Sequence, residues 1–307
     1  MSTASRNHQS YTQEKRMATT QKEVIGFIGL GVMGKSMASH LLQNGYQLNI
    51  YTRTREKAAE LLEQGCVWQD NPALLAASSD VVITMVGYPH DVEEVYFNDD
   101  GLLQNCRPAS VLVDMTTSSP ELAVRIYEAA QEKGVGALDA PVSGGDVGAR
   151  QAALSIMVGG DNDVFARILP IFKCMGKNIV HQGQAGSGQH CKMANQIAIA
   201  STMMGVCESI RYAEKAGLNP ETVLQSIEAG AAGSWSLSNL APRMIKDDFA
   251  PGFYVKHFIK DMTIALQSAE RIGLKPSGLA LAKSLYDKLA AEGGEDLGTQ
   301  ALYTQYK

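Results

Sequence analysis

The sequence has little of what builds disulfide scaffolds, metal centres or membrane spans. Its five cysteines (Cys66, Cys106, Cys174, Cys191, Cys207) are odd in number and contain no C-x-x-C pair, so a disulfide framework and a zinc cluster are excluded and the thiols read as reduced. Six histidines show no H-E-x-x-H or similar spacing, and no metal site is expected. No run of 18 or more apolar residues is long enough to cross a bilayer. The opening 22 residues, MSTASRNHQSYTQEKRMATTQK, lack the apolar core of a secretory signal. They are expected to form a disordered leader on a cytoplasmic protein. There is no Lys/Arg block, and a net charge of -5 supplies no field for a phosphate backbone, which excludes nucleic acid as a partner.

What is present is an ordinary globular composition, 45% hydrophobic and 19% charged, with 29 glycines. At 307 residues the chain is long for one core, and two domains are expected. From Val24 the pattern repeats: VIGFIG, a helix over 33–43 closed by Gly45, the run QLNIY, the charged helix REKAAELLEQG and the buried-strand run VVITMV. A helix near 90–97, the strand SVLVDM, a helix capped by Ser119-Pro120, the strand-like VGALDAPV and LSIMVGG, a helix over 161–175 and NIVHQG follow. Alternation of this kind predicts a doubly wound, mostly parallel α/β sheet of Rossmann type. After Gly188 only helical signals remain, at 189–216, 220–229, 235–246, 257–272 and 277–292, so an all-α domain is expected over 185–307 behind an α/β domain over 23–184.

The segment FIGLGVMG sets Gly29, Gly31 and Gly34 in G-x-G-x-x-G spacing between a predicted strand and a predicted helix. The first glycine permits the tight turn, the second lets backbone approach a pyrophosphate, and the third lets helix and strand pack closely. With Leu30, Val32 and Met33 these form the expected cofactor loop. Where an NAD enzyme carries an acid for the ribose, the second strand ends in Arg53 and Thr54; a guanidinium beside a hydroxyl suits a 2′-phosphate, so NADP is expected over NAD. Further on, Ser143, Gly144 and Gly145 in DAPVSGG offer a hydroxyl and bare N–H groups to a carboxylate. In GSGQHCKMANQ, Lys192, Asn195 and Gln196 share one helical face amid apolar neighbours, which points to a partly enclosed lysine. Trp235, in GAAGSWSL, fits either the cleft between domains or plain packing.

FIGLGVMG, DAPVSGG, GSGQHCKMANQ and FIKDM, in this order, resemble the β-hydroxyacid dehydrogenase family, which includes 3-hydroxyisobutyrate dehydrogenase and tartronate semialdehyde reductase. The likeness covers residues 23 to 300. It implies that Lys192 is the catalytic acid/base, that Ser143, Gly144 and Gly145 bind substrate, and that Asn195 positions it beside the lysine. It also implies substrate or cofactor contacts from Thr117, Phe253, Lys260 and Asp261. Met85 and Val86, after the fourth strand, are expected on the nicotinamide side, although Met85-Val86-Gly87-Tyr88-Pro89 departs from the commoner proline placement. Many members carry Asn-Asn after the lysine; Asn195-Gln196 is expected of the tartronate semialdehyde reductase branch. The substrate implied is a small hydroxy- or oxo-acid, and the assembly a homodimer or homotetramer. Two alternatives stand beside this reading: a non-catalytic NADP-binding scaffold, in which Lys192 would have no use, and a 6-phosphogluconate-type decarboxylating dehydrogenase, for which the helical domain is short.

Overall fold

The computed structural model describes residues 22–306, and the leader expected at the start of the chain lies outside them apart from Lys22. Nine strands form one sheet: β1 (Val24–Ile28), β2 (Gln47–Tyr51), β3 (Val67–Trp68), β4 (Val81–Thr84), β5 (Val111–Asp114), β6 (Gly136–Asp139), β7 (Val142–Ser143), β8 (Leu154–Gly160) and β9 (Gly176–Gly183). The first six are parallel in the order β3-β2-β1-β4-β5-β6, β8 joins antiparallel to β6, and β8 carries β7 and β9. This is the strand order of a Rossmann sheet, in which ligands bind beyond the carboxyl ends where the order reverses, here between β1 and β4.

The central strands are apolar because helices cover both faces. Every residue of β4 and β5 is buried. Alternate side chains then divide between two cores. Ile25, Phe27, Ile83 and Val113 join Met37, Leu41 and Phe172 on one face. Ile28, Val82 and Leu112 join Leu75, Tyr96 and Ile126 on the other.

Strands end at Gly183, and the next element is a helix of 29 residues, Ser187–Lys215. Around it pack Pro220–Ile227, Trp235–Ile245, Val255–Arg271 and Ser277–Leu289, burying Met203, Cys207, Ile210, Phe258, Met262 and Tyr286 in a third core. The long helix shows no narrow apolar stripe since it is packed on several sides. A parallel-sheet Rossmann domain thus precedes a mostly helical C-terminal region.

Local chemistry accounts for the ends of the elements. Ser119 accepts from the Leu122 N–H at 3.1 Å with Pro120 in the first helical position, and Gly45 takes a positive φ just past the helix Val32–Gln43. Two expectations need correction, and one element was not foreseen. REKAAELLEQG is a 3₁₀ turn, Arg55–Ala58, followed by a short helix, Ala59–Glu63. The helix expected over 277–292 ends its α geometry at Leu289 and closes in a π turn with Gly293 at φ +89°. DAPVSGG is followed at once by a short helix, Gly145–Arg150, that composition did not signal.

Candidate active site

A cleft of roughly 390 Å³ opens at the carboxyl ends of β1 and β4 and runs toward the helix Val255–Arg271. One end of it is backbone. Gly29 turns at φ +97°, and a Cβ there would overlap the Met85 carbonyl. A Cβ on Gly34 would overlap the carbonyl of Gly29, so strand and helix meet too closely for any side chain. At Gly31 a Cβ would meet nothing within 4 Å, which leaves space for a bound group over the N-terminus of the helix Val32–Gln43. These three positions fit a dinucleotide pyrophosphate.

Arg53 and Thr54 line the same end with Tyr51, Thr52 and Lys57. The Arg53 guanidinium is 75% exposed and pairs at 2.9 Å with Asp91, which is nearly buried and also accepts from the Tyr88 N–H at 3.0 Å. Arg55 turns away to lie over the Trp68 ring. Of the two arginines, only Arg53 faces the cleft.

The other end is a network of side chains. Lys260 donates to the carbonyl oxygens of Thr117 at 2.8 Å and Gly87 at 3.2 Å and pairs with buried Asp261 at 3.0 Å. Gln196 donates to Asp261 at 2.7 Å and accepts from Asn195 Nδ2 at 2.7 Å. One turn earlier on the long helix, Lys192 is only 6% exposed and its Nζ donates to the Val142 carbonyl at 2.9 Å. Burial holds its pKa below the ordinary lysine range; Asp261 pulls it back up and Lys260 pushes it further down. Val142 immediately precedes Ser143, so the ammonium sits at the start of the Ser143-Gly144-Gly145 turn, in which Gly144 takes φ +132° and Gly145 approaches the Gly252 carbonyl.

Two buried carboxylates fix the sheet beneath this end. Asp139 accepts from the Gly186 and Gln189 N–H groups, both at 2.8 Å, anchoring the N-terminus of the long helix to β6. Gln189 in turn accepts from the Ser118 N–H at 3.0 Å and donates to the Thr116 carbonyl at 2.8 Å. Asp114 accepts from Thr84 Oγ1 at 2.8 Å and the Thr116 N–H at 3.1 Å, and Thr116 Oγ1 accepts from the Val86 N–H at 3.0 Å. Burial pushes Asp114 up to about 6 and raises Asp139 in the same direction.

Of the residues singled out in the sequence, Gly29, Leu30, Gly31, Val32, Met33, Gly34, Arg53, Thr54, Met85, Val86, Thr117, Phe253, Lys260 and Asp261 line the cleft. Lys192, Asn195 and Ser143 to Gly145 do not. Gln196 and Asp261 join Asn195 to the cleft wall. Trp235 is 64% exposed and serves neither role considered for it. Sequence reasoning passed over Lys57, Asp91, Tyr254 and His257, which also line the cleft, and Asp139 and Gln189, which support it. Lys57 follows Arg53 by four residues, a spacing that could have drawn notice.

Comparison with known proteins agrees with this geometry. Residues 24–183 match the NAD binding domain of 6-phosphogluconate dehydrogenase, and residues 186–306 match the family described as NAD-binding of NADP-dependent 3-hydroxyisobutyrate dehydrogenase. An oxidoreductase of Bacillus subtilis, YkwC, is 62% identical over 92% of this chain and 98% of its own. The 2-hydroxy-3-oxopropionate reductase of Escherichia coli is 42% identical over 91% and 95%. Among solved structures, the 3-hydroxyisobutyrate dehydrogenase of Mycobacterium tuberculosis with L-serine superposes with a TM-score of 0.86 at 30% identity, covering 93% of this chain and 99% of that one. With a Rossmann sheet, a glycine loop shaped for a dinucleotide and a helical region matched along its length, the chain belongs to the β-hydroxyacid dehydrogenase family of nicotinamide-dependent oxidoreductases.

Proposed function

We propose that this enzyme moves hydride between NADP(H) and a small β-hydroxyacid or the corresponding semialdehyde or oxo-acid, with Lys192 as general acid/base. The observation that carries the reading is the buried ammonium of Lys192, held by one carbonyl next to a serine- and glycine-lined turn. A bound nicotinamide supplies or accepts the hydride. In reduction, protonated Lys192 donates from Nζ to the substrate oxygen as it gains charge; in oxidation, neutral Lys192 removes the hydroxyl proton. Burial favours the neutral form and so eases the proton removal that oxidation requires. Ser143, Gly144 and Gly145 bind the carboxylate, and Asn195 orients the reacting carbon.

The preference for NADP is supported by Arg53 in the cleft, with Thr54 and Lys57 beside it and no acid at the end of β2. NAD remains usable because Asp91 already engages part of the guanidinium. We place the domain boundary near Ala185, between β9 and the long helix. Exposed Tyr212, Leu218, Trp235, Ile272, Leu274 and Leu281 on the helical region support a homo-oligomer. No helix among the described residues is long and apolar enough to cross a membrane, and free cysteines support a reducing compartment such as the cytoplasm.

The test is a panel of 3-hydroxyisobutyrate, 2-hydroxy-3-oxopropionate, glyoxylate and succinic semialdehyde with NADP(H) and NAD(H), followed by nicotinamide absorbance. At least one acid should turn over, faster with the phosphorylated cofactor. Lys192→Met should lower that turnover by about 10³-fold while NADPH binding stays unchanged. Turnover within tenfold of the wild type would sink the lysine assignment.

A further inference from the structure

The hydrogen bonds at the buried end of the site have a fixed direction. Asp261, paired with the Lys260 ammonium, is a carboxylate that accepts and does not donate. The side chain of Gln196 facing it must therefore present its NH₂ group, which it does at 2.7 Å. That leaves the Gln196 carbonyl oxygen toward Asn195, so Asn195 must in turn present its own NH₂, again at 2.7 Å. What Asn195 keeps is the second hydrogen of its NH₂ group and its carbonyl oxygen. That oxygen accepts from no described residue, and it belongs to a half-buried side chain one turn from Lys192 on the same helical face.

We propose that Gln196 is a positioning residue for the reaction: it carries the acceptor-only character of Asp261 across to Asn195, fixing which way the Asn195 amide is turned and keeping its carbonyl oxygen available to the site as a hydrogen-bond acceptor. The group taken there is an O–H or N–H donor, either a substrate hydroxyl or the Lys192 ammonium, and not the substrate carboxylate. The inference rests on the reading of Lys192 as the proton-transfer group. Gln196 is 2% exposed and reaches both partners at once. Gln196 touches neither cleft nor cofactor loop, so its effect is exerted through its neighbours.

Two substitutions separate this role from a merely structural one. Gln196→Met keeps the volume but breaks both bonds and frees the Asn195 amide to flip. It should lower kcat by about tenfold or more, with KM for the acid changed less than about threefold and NADPH affinity intact. Gln196→Glu keeps the acceptor for Asn195 but can donate to Asp261 only while its new carboxyl is protonated. Its kcat, relative to wild type, should recover toward the acid end of the pH range and fall as pH rises, whereas Gln196→Met should be low throughout. The charged neighbours on which that titration depends are Asp261, Lys260 and Lys192. A Gln196→Met enzyme within about threefold of wild-type kcat overturns the proposal. So does joint loss of NADPH binding and thermal stability in both variants with no difference between their pH profiles. If Lys192→Met turns over normally, the acid/base reading fails by a separate result.

Discussion

The two ends of the cleft are built on opposite plans. At the dinucleotide end the working surface is main chain: Gly31 is bare, Gly29 and Gly34 are fixed by backbone contact, and the principal charged group, Arg53, stands largely in solvent. At the other end the polar groups are side chains withdrawn from water, and Lys192, Gln196, Asp261 and Asp139 are all nearly or wholly buried. Backbone recognition tolerates a mobile, solvated partner because the binding groups are fixed by the fold itself. Side-chain chemistry needs every polar atom satisfied, since an unpaired one in low dielectric costs about 1–3 kcal/mol.

That contrast can be broken from either side. Gly34→Ala drives a methyl group into the Gly29 carbonyl and should displace the loop enough to weaken NADPH binding by about 10²-fold or more, read by fluorescence titration, even though no charge is lost. At the buried end, Asp139→Ala removes the acceptor of two helix N-terminal N–H groups and should cost about 3–5 kcal/mol in urea unfolding. A loss under 1 kcal/mol would mean that the long helix is held by its apolar packing alone.

A third effect concerns pH. Because Asp114 is raised in the folded protein from 3.8 to about 6, folding takes up a proton between those values. Its favourable contribution is fully present below the unfolded pKa and is lost as pH rises through about 6, amounting to at most about 3 kcal/mol. Asp139, raised by burial too, adds to the same trend. Asp114→Asn should flatten unfolding free energy between pH 4 and 7. An unchanged slope in denaturant midpoints across that range would remove Asp114 from the account.

The same contrast explains what could be seen in the sequence. Gly29, Gly31 and Gly34 lie within six residues of one another and their roles depend on the turn they form, so the cofactor end was legible from local spacing. The strands β4 and β5 were legible as apolar runs because both faces of the sheet are covered. Asp139 and Gln189 gave no such signal. Their partners lie 47 to 73 residues away in the chain, and nothing in the local sequence distinguishes a carboxylate that caps a distant helix from one in solvent. The position of Arg55 over the Trp68 ring, away from the cleft, likewise has no local signature. The Asn195-Gln196 pair marked a branch of the family in sequence, while its function as a directed pair of amides appears only once Asp261 is placed against it.

The helix Ser187–Lys215 is about 43 Å long at 1.5 Å per residue, and its first turn is tied to β6 while Lys192 stands only five residues beyond that tie. A swing of about 5° in the helical half would carry the far tip by roughly 4 Å yet shift the lysine by well under about 1 Å. A displacement of that size at the tip would leave Lys192 in place against the Val142 carbonyl.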